Sequence, residues 1–171
     1  DGDWVEVTGE GYQVEGEFRK GNNALDPDKE EAMMLLLKIG ALSNDALLSS
    51  DKECCNIMGD PTEGALLVAA AKAGLNEEIL EEKYPRIDEI PFQSERRYMA
   101  TLHPWDKGKV VYVKGALEKL LDMSRSVLKN GSAVTLKEAD REAIMEIGDT
   151  MAKDAMRVMA LAYAEHPGEL A

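Results

Sequence analysis

The strongest constraint on this chain is a change of period. Ile87 to Phe92, Tyr98 to His103 and Val110 to Lys114 read as strands, whereas the apolar runs before and after them recur at helical spacing. The last two strands are joined by His103-Pro104-Trp105-Asp106-Lys107-Gly108, a hairpin loop by composition. Strands linked by hairpins pair antiparallel, and helices on either side then have a sheet to cover. The expected fold is α+β, a mainly antiparallel twisted β-sheet flanked by helices.

Local signals place the other elements. Trp4 to Val7 alternates, and Gly9, Gly11, Gly16 and Gly21 punctuate a stretch of short strands and turns. A buried helix is expected from Asp28 to about Ala41, and Leu47 to Cys55 reads as irregular. Asp60 suits an N-cap and Pro61 the first position of a second helix, which Gly74 stops. Asn76 caps a short acidic helix to about Tyr84, and Gly115 opens another through Leu121. Val127 to Thr135 forms a hairpin about Asn130-Gly131. Thr135 and Glu138 have capping-box spacing for a helix reaching about Met156, and Val158 to Tyr163 is a final strand. The expectation is a single domain over 1–171, with 165–171, including Pro167-Gly168, a tail or linker.

Composition excludes several functions. The net charge is −13, so a duplex nucleic acid would be repelled. No stretch reaches the roughly 18 uncharged apolar residues of a membrane helix, and the chain begins at Asp1. A water-soluble piece of something larger is expected. Cys54 and Cys55 are adjacent and cannot form an unstrained disulfide, and His103 and His166 lie far apart, so no metal site and a reducing compartment are expected. No Gly-rich phosphate loop, dinucleotide fingerprint or nucleophile elbow is present.

Four segments carry residues that packing does not fully explain. In Gly59-Asp60-Pro61-Thr62-Glu63-Gly64, Asp60 and Glu63 form a capping box. A carboxylate there can equally accept a hydrogen bond from an exocyclic amine, and the two readings are compatible. In Pro91-Phe92-Gln93-Ser94-Glu95-Arg96-Arg97-Tyr98-Met99, Phe92 is either core or an aromatic at a pocket edge on which a flat base stacks. Arg96 and Arg97, if on a strand, point to opposite faces. In Val113-Lys114-Gly115-Ala116, Lys114 either snorkels to solvent or reaches a ligand at the strand end. Before the last strand, Arg157 either pairs with Asp154 or stands near a phosphate.

Taken in order, these segments resemble the nucleotide-binding domain of P-type cation-transporting ATPases. The opening Thr8-Gly9-Glu10-Gly11-Tyr12, with Gly16, is similar to the calcium-pump-like, type II members. The resemblance implies that Glu63 meets the adenine amino group, Phe92 stacks on the ring, Lys114 lies beside the base with Gly115 admitting it, and Arg157 contacts the phosphate side. Arg97 stands where the family usually has a lysine. Asp60, Thr62, Met99 and Ala116 are supporting positions, and Leu117 replaces a common proline. The resemblance implies ATP as the ligand, with Mg2+ arriving as MgATP and not held tightly by this domain. No catalytic residue is expected, because the family's phosphorylated aspartate in Asp-Lys-Thr-Gly-Thr is absent. The implied partners are the phosphorylation and actuator domains of a parent chain, and the implied location is the cytosolic side of a membrane protein. The competing expectation is a regulatory or protein-interaction domain on the same scaffold.

Overall fold

In the computed structural model, residues 2–51, 54–106 and 108–165 are described, without side chains for 50–51 and 54–55. Lys107, His166, the tail at Pro167-Gly168 and the side-chain packing of Cys54 and Cys55 lie outside the described residues. The chain divides into two compact units, Asp1–Tyr84 and Pro85–Ala171. Every strand pairing among the described residues is antiparallel, as the α+β reading requires.

The first unit opens with three short paired strands, β1 (Glu6–Val7), β2 (Phe18–Lys20) and β3 (Asn23–Leu25). A 3-10 turn at Pro27–Lys29 leads into helix α1 (Glu31–Leu42), whose last two turns bury Leu37, Ile39, Ala41 and Leu42. Helix α2 (Pro61–Lys72) packs on α1. It ends where Gly74, at φ 78°, donates to the Ala71 carbonyl while Leu75 N–H returns to Ala70 O, the left-handed stop expected of that glycine. Asn76 caps α3 (Glu77–Lys83) by accepting from Ile79 N–H at 2.9 Å. Between α1 and α2, the segment expected to be irregular is a hairpin, β4 (Leu47–Asp51) with β5 (Cys54–Met58). Its end pair, Leu47 and Met58, is 53% and 65% exposed, while the adjoining pair, Leu48 and Ile57, is half-buried, so apolar residues stand on both pleats and leave no alternating imprint on the sequence.

The second unit is built on a four-stranded sheet in the order β11-β8-β7-β6, with β6 at Asp88–Ile90, β7 at Tyr98–Trp105, β8 at Gly108–Gly115 and β11 at Ala160–Glu165. Ala100, Leu102 and Val111 are buried at the heart of one face, with Ile90, Tyr98 and Val113 packed around them. The opposite pleat of β7 and β8 carries Met99, Thr101, His103, Val110, Tyr112 and Lys114, all buried. The β7–β8 pairing continues to Trp105 and Gly108, so the loop is shorter than the expected six residues: His103, 1% exposed and bonded through Nε2 to Thr101 Oγ1 at 2.9 Å, belongs to the strand.

Helix α4 (Leu117–Met123) packs on β8, β11 and α5 (Glu138–Lys153). The hairpin between them, β9 (Ser126–Lys129) with β10 (Ser132–Thr135), turns at Asn130 and Gly131, whose φ values of 50° and 72° are those of the type I′ turn that Asn-Gly favours. The expected capping box at Thr135 and Glu138 is not formed. Thr135 pairs with Ser126 in the hairpin, and α5 begins after Lys137, whose N–H donates to Asp140 Oδ2 at 3.2 Å.

Helix α5 stops three residues short of the expected Met156. Ala155 adopts φ 60°, and Met156 N–H returns to Met151 O at 3.1 Å. Glycine is the usual occupant of that left-handed position, because a Cβ there crowds the following carbonyl. Ala155→Gly is therefore expected to stabilise the fold by ~0.5–1 kcal/mol net of the extra chain entropy, raising Tm by about 1–4 °C in a thermal melt. A lower Tm would contradict this account of the helix end.

Candidate nucleotide site

The topology of the second unit gathers most of the singled-out residues. Because neighbouring strands alternate in direction, the end of β6, the start of β7, the end of β8 and the start of β11 share one edge of the sheet. The register confirms it: Ile90 pairs with Ala100, and Gly115 pairs with both Tyr98 and Ala160. Phe92 lies two residues beyond β6, Arg97 immediately before β7, Lys114 and Gly115 at the end of β8, Ala116 just after it, and Arg157 three residues before β11.

Phe92 is 58% exposed, so the core reading of this aromatic fails. Its loop is fixed by backbone bonds, with Arg96 N–H and Arg97 N–H both donating to the Gln93 carbonyl at 3.0 and 2.7 Å. The two arginines therefore sit in a turn and not on a strand, which corrects the expectation that alternation sends them to opposite faces. Arg96 lies 5.9 Å from the centre of the Tyr98 ring and donates to Pro91 O. Arg97 is held at φ 63°, its carbonyl accepts from Ala116 N–H at 3.0 Å, and its Nη2 donates to Glu118 Oε1 at 3.0 Å. The carboxyl of Glu118 is held below its usual range by its own backbone amide first and by Arg97 second. Sequence reasoning missed Glu118; an acid in the first turn of a helix reads as ordinary helix chemistry.

Lys114 does not snorkel. It is 4% exposed, in register with Met99 on one side and Leu161 on the other, and engaged within the chain. Met99 is buried beside it at 1% exposure. Gly115 is a packing necessity: a Cβ there would sit 2.6 Å from Arg97 O, 2.6 Å from Tyr98 Cβ and 2.9 Å from Leu120 Cδ1. Leu117, in place of the proline common in the family, is the first residue of α4, and its side chain lies over Gly148 of α5, where a Cβ would collide with it. Arg157 is exposed, and among the described residues no ion pair joins it to Asp154. Asp154 instead closes α5, its N–H donating to Thr150 O and Met151 O.

Asp60, Thr62 and Glu63 stand in the first unit, at the start of α2. Asp60 Oδ1 accepts from Thr62 N–H at 2.8 Å and Glu63 N–H at 3.3 Å, as an N-cap should. Glu63 Oε2 accepts from Asp45 N–H at 3.1 Å, and its carbonyl accepts from Asn44 Nδ2 at 3.0 Å. Asn44, 6% exposed, also donates to Gly40 O and accepts from Ala46 N–H, so it ties the end of α1 to the start of α2. Nothing local in the sequence pairs Glu63 with residues 18 or 19 positions away. Among the described residues, no group of three or more His, Cys, Asp or Glu is placed to hold a metal ion, and no helix is long and apolar enough to cross a membrane.

Comparison with known proteins gives one answer. The family profile described as "P-type ATPase, cytoplasmic domain N" matches residues 32–171. The chain is similar to "Cation-transporting ATPase pma1" of Synechocystis sp., 41% identical over 94% of this chain and 18% of that protein. It is 38% identical to "Calcium-transporting ATPase 1" of Bacillus cereus over 80% of this chain and 15% of that protein. It is 32% identical to human "Calcium-transporting ATPase type 2C member 1" over 99% of this chain and 18% of that protein. The chain spans less than a fifth of the length of these relatives.

Proposed function

Because the chain belongs to the family of P-type ATPase cytoplasmic N domains, we propose that it binds ATP chiefly by the adenosine end, at the shared edge of β6, β7, β8 and β11. The observation that carries this reading is Phe92, a large aromatic 58% exposed on a fixed loop at the same sheet end as the buried cation Lys114. An exposed ring serves stacking. A buried ammonium ends a strand where it can meet a ring nitrogen or a ribose oxygen. Phe92 stacks on adenine, and Lys114 lies beside the base at the Gly115 turn. Glu63 is the residue we assign to the adenine amino group. Arg97 and Arg157 serve the phosphate side, and Asp60, Thr62, Met99 and Ala116 hold these residues in place.

In the parent protein this domain presents the γ-phosphate to an aspartate of a separate phosphorylation domain, with the actuator domain as a further partner. The parent is a cation-transporting ATPase of a membrane, with this domain on the cytosolic side, and calcium is the first candidate for its ion from the names of the relatives. Mg2+, arriving with ATP, supplies charge neutralisation at the phosphates in the parent. No residue of this chain is assigned to hold it.

One stack contributes ~1–3 kcal/mol, and two or three charge-assisted hydrogen bonds ~1.5–3 kcal/mol each. Against an association cost of at least ~4 kcal/mol, a Kd of roughly 0.1–1 mM is expected. Calorimetric titration of this chain tests it. ATP should bind in that range, with a change of less than about threefold on adding Mg2+, since ~10-fold already requires 1.4 kcal/mol of contact with the ion. No phosphate should be released. Absence of binding at millimolar ATP would refute the reading.

A further inference from the structure

We propose that Glu118 is an internal competitor for the nucleotide's phosphates at Arg97, holding the guanidinium when the site is empty and opposing phosphate when it is filled. The proposal rests on the nucleotide reading above and adds to it a residue that sets how tightly the phosphate end is held.

Arg97 is rooted rather than free to roam. Its N–H is bonded to Gln93 O at 2.7 Å, its carbonyl to Ala116 N–H at 3.0 Å, and its φ of 63° is a conformation few side chains adopt. From that root the side chain meets Glu118, the second residue of α4, which begins directly after Lys114-Gly115-Ala116. The pair joins Nη2 to Oε1 alone at 3.0 Å, with the two side chains 53% and 51% exposed. A guanidinium has five N–H donors in a planar fork, so a single-pronged pair leaves most of them for a second anion.

The energetics favour a competitor over a brace. A half-exposed ion pair contributes little and is screened by salt, so it cannot hold the loop by itself. The backbone bonds at Gln93 and Ala116 already do that. Its electrostatic consequence for a ligand is larger. A triphosphate carries several negative charges to the edge where Arg97 stands, in a chain of net charge −13. Engaging Arg97 then means either displacing Glu118, which leaves its carboxylate without a cation beside the phosphates, or sharing the fork with it. Both weaken phosphate binding, and neither touches the adenosine end.

Affinities of ATP and adenosine for the wild-type chain, Glu118→Gln, Arg97→Gln and the double variant provide the test. Glu118 is exposed and its amide replacement keeps its shape, so equal Tm values serve as the folding control. E118Q should tighten ATP about two- to five-fold, the range an exposed ion pair spans, and leave adenosine unchanged. In the Arg97→Gln background the gain should vanish, and in the wild-type background it should shrink as salt is raised. Unchanged or weaker ATP binding by E118Q, or an equal gain for adenosine, would overturn the proposal while leaving the nucleotide reading intact. A wild-type chain that binds neither ligand would overturn both.

Discussion

Phe92→Ala is expected to weaken ATP binding by roughly 5- to 150-fold, the loss of one aromatic–base stack, with little change in Tm. The two halves of that expectation come from the same observation. A ring 58% exposed buries little apolar surface in the folded chain, so removing it leaves no large cavity. Its loop is held by the Gln93 carbonyl and by Arg96 against Pro91 O and Tyr98, none of which involves the Phe92 ring. With a starting Kd of roughly 0.1–1 mM, the variant should be near or beyond the limit of direct titration, and tyrosine or tryptophan at this position should restore much of the affinity. On the competing reading, a regulatory or protein-docking domain that has lost its ligand, the substitution would leave nucleotide binding where it was. A large drop in Tm would mean instead that the ring supports the fold.

Gly115→Ala should do the opposite, damaging the fold first and binding as a consequence. The added methyl would lie 2.6 Å from a backbone oxygen of Arg97 and from the Cβ of Tyr98, atoms that no side-chain rotation can move aside. The pairing of Gly115 with both Tyr98 and Ala160 fixes it from two sides. Overpacking of this kind costs ~1–3 kcal/mol, and for a chain of this length each kcal/mol corresponds to about 2–4 °C, so Tm should fall by roughly 2–12 °C. ATP affinity should fall with it, because relief of the clash moves the turn that carries Arg97. Gly64→Ala is the informative contrast. The nearest neighbours of its Cβ would be Cγ2, Cγ1 and Cδ1 of Ile57, at 2.6 to 3.0 Å; this branched side chain has to shift as a whole, so Tm should fall here too, but without disturbing the turn that carries Arg97. An unchanged Tm for Gly115→Ala would show that packing does not demand this glycine.

What could be read from the sequence were the features whose cause is local. Asp60-Pro61 at a helix start, Asn76 at another and Asn130-Gly131 at a hairpin turn each declare a backbone conformation within a few residues, and each stands where expected. The antiparallel sheet was legible because one of its faces is apolar and its strands follow one another. What stayed hidden had distant causes. The β4–β5 hairpin carries apolar residues on both pleats at its open end, so no alternation marks it, and Thr135 is taken by a strand partner before it can cap α5. Of the candidate site, the chemistry of Phe92 and Lys114 showed in their odd positions. The engagement of Glu63 with Asp45 and of Arg97 with Glu118 did not, since each joins residues 18 or more positions apart. The turn that carries Arg96 and Arg97 imitated a strand start, because the glycine that usually marks a left-handed residue is replaced there by an arginine.

The most direct test of the central claim is a titration of isotope-labelled chain with ATP, followed by amide chemical shifts. The account predicts shifts that saturate with a Kd of roughly 0.1–1 mM, centred on Phe92, Arg97, Lys114, Gly115, Ala116 and Arg157, with Glu63 moving in the same titration. No shift at these residues at millimolar ATP, or shifts confined to the β9–β10 hairpin and α5, would contradict it.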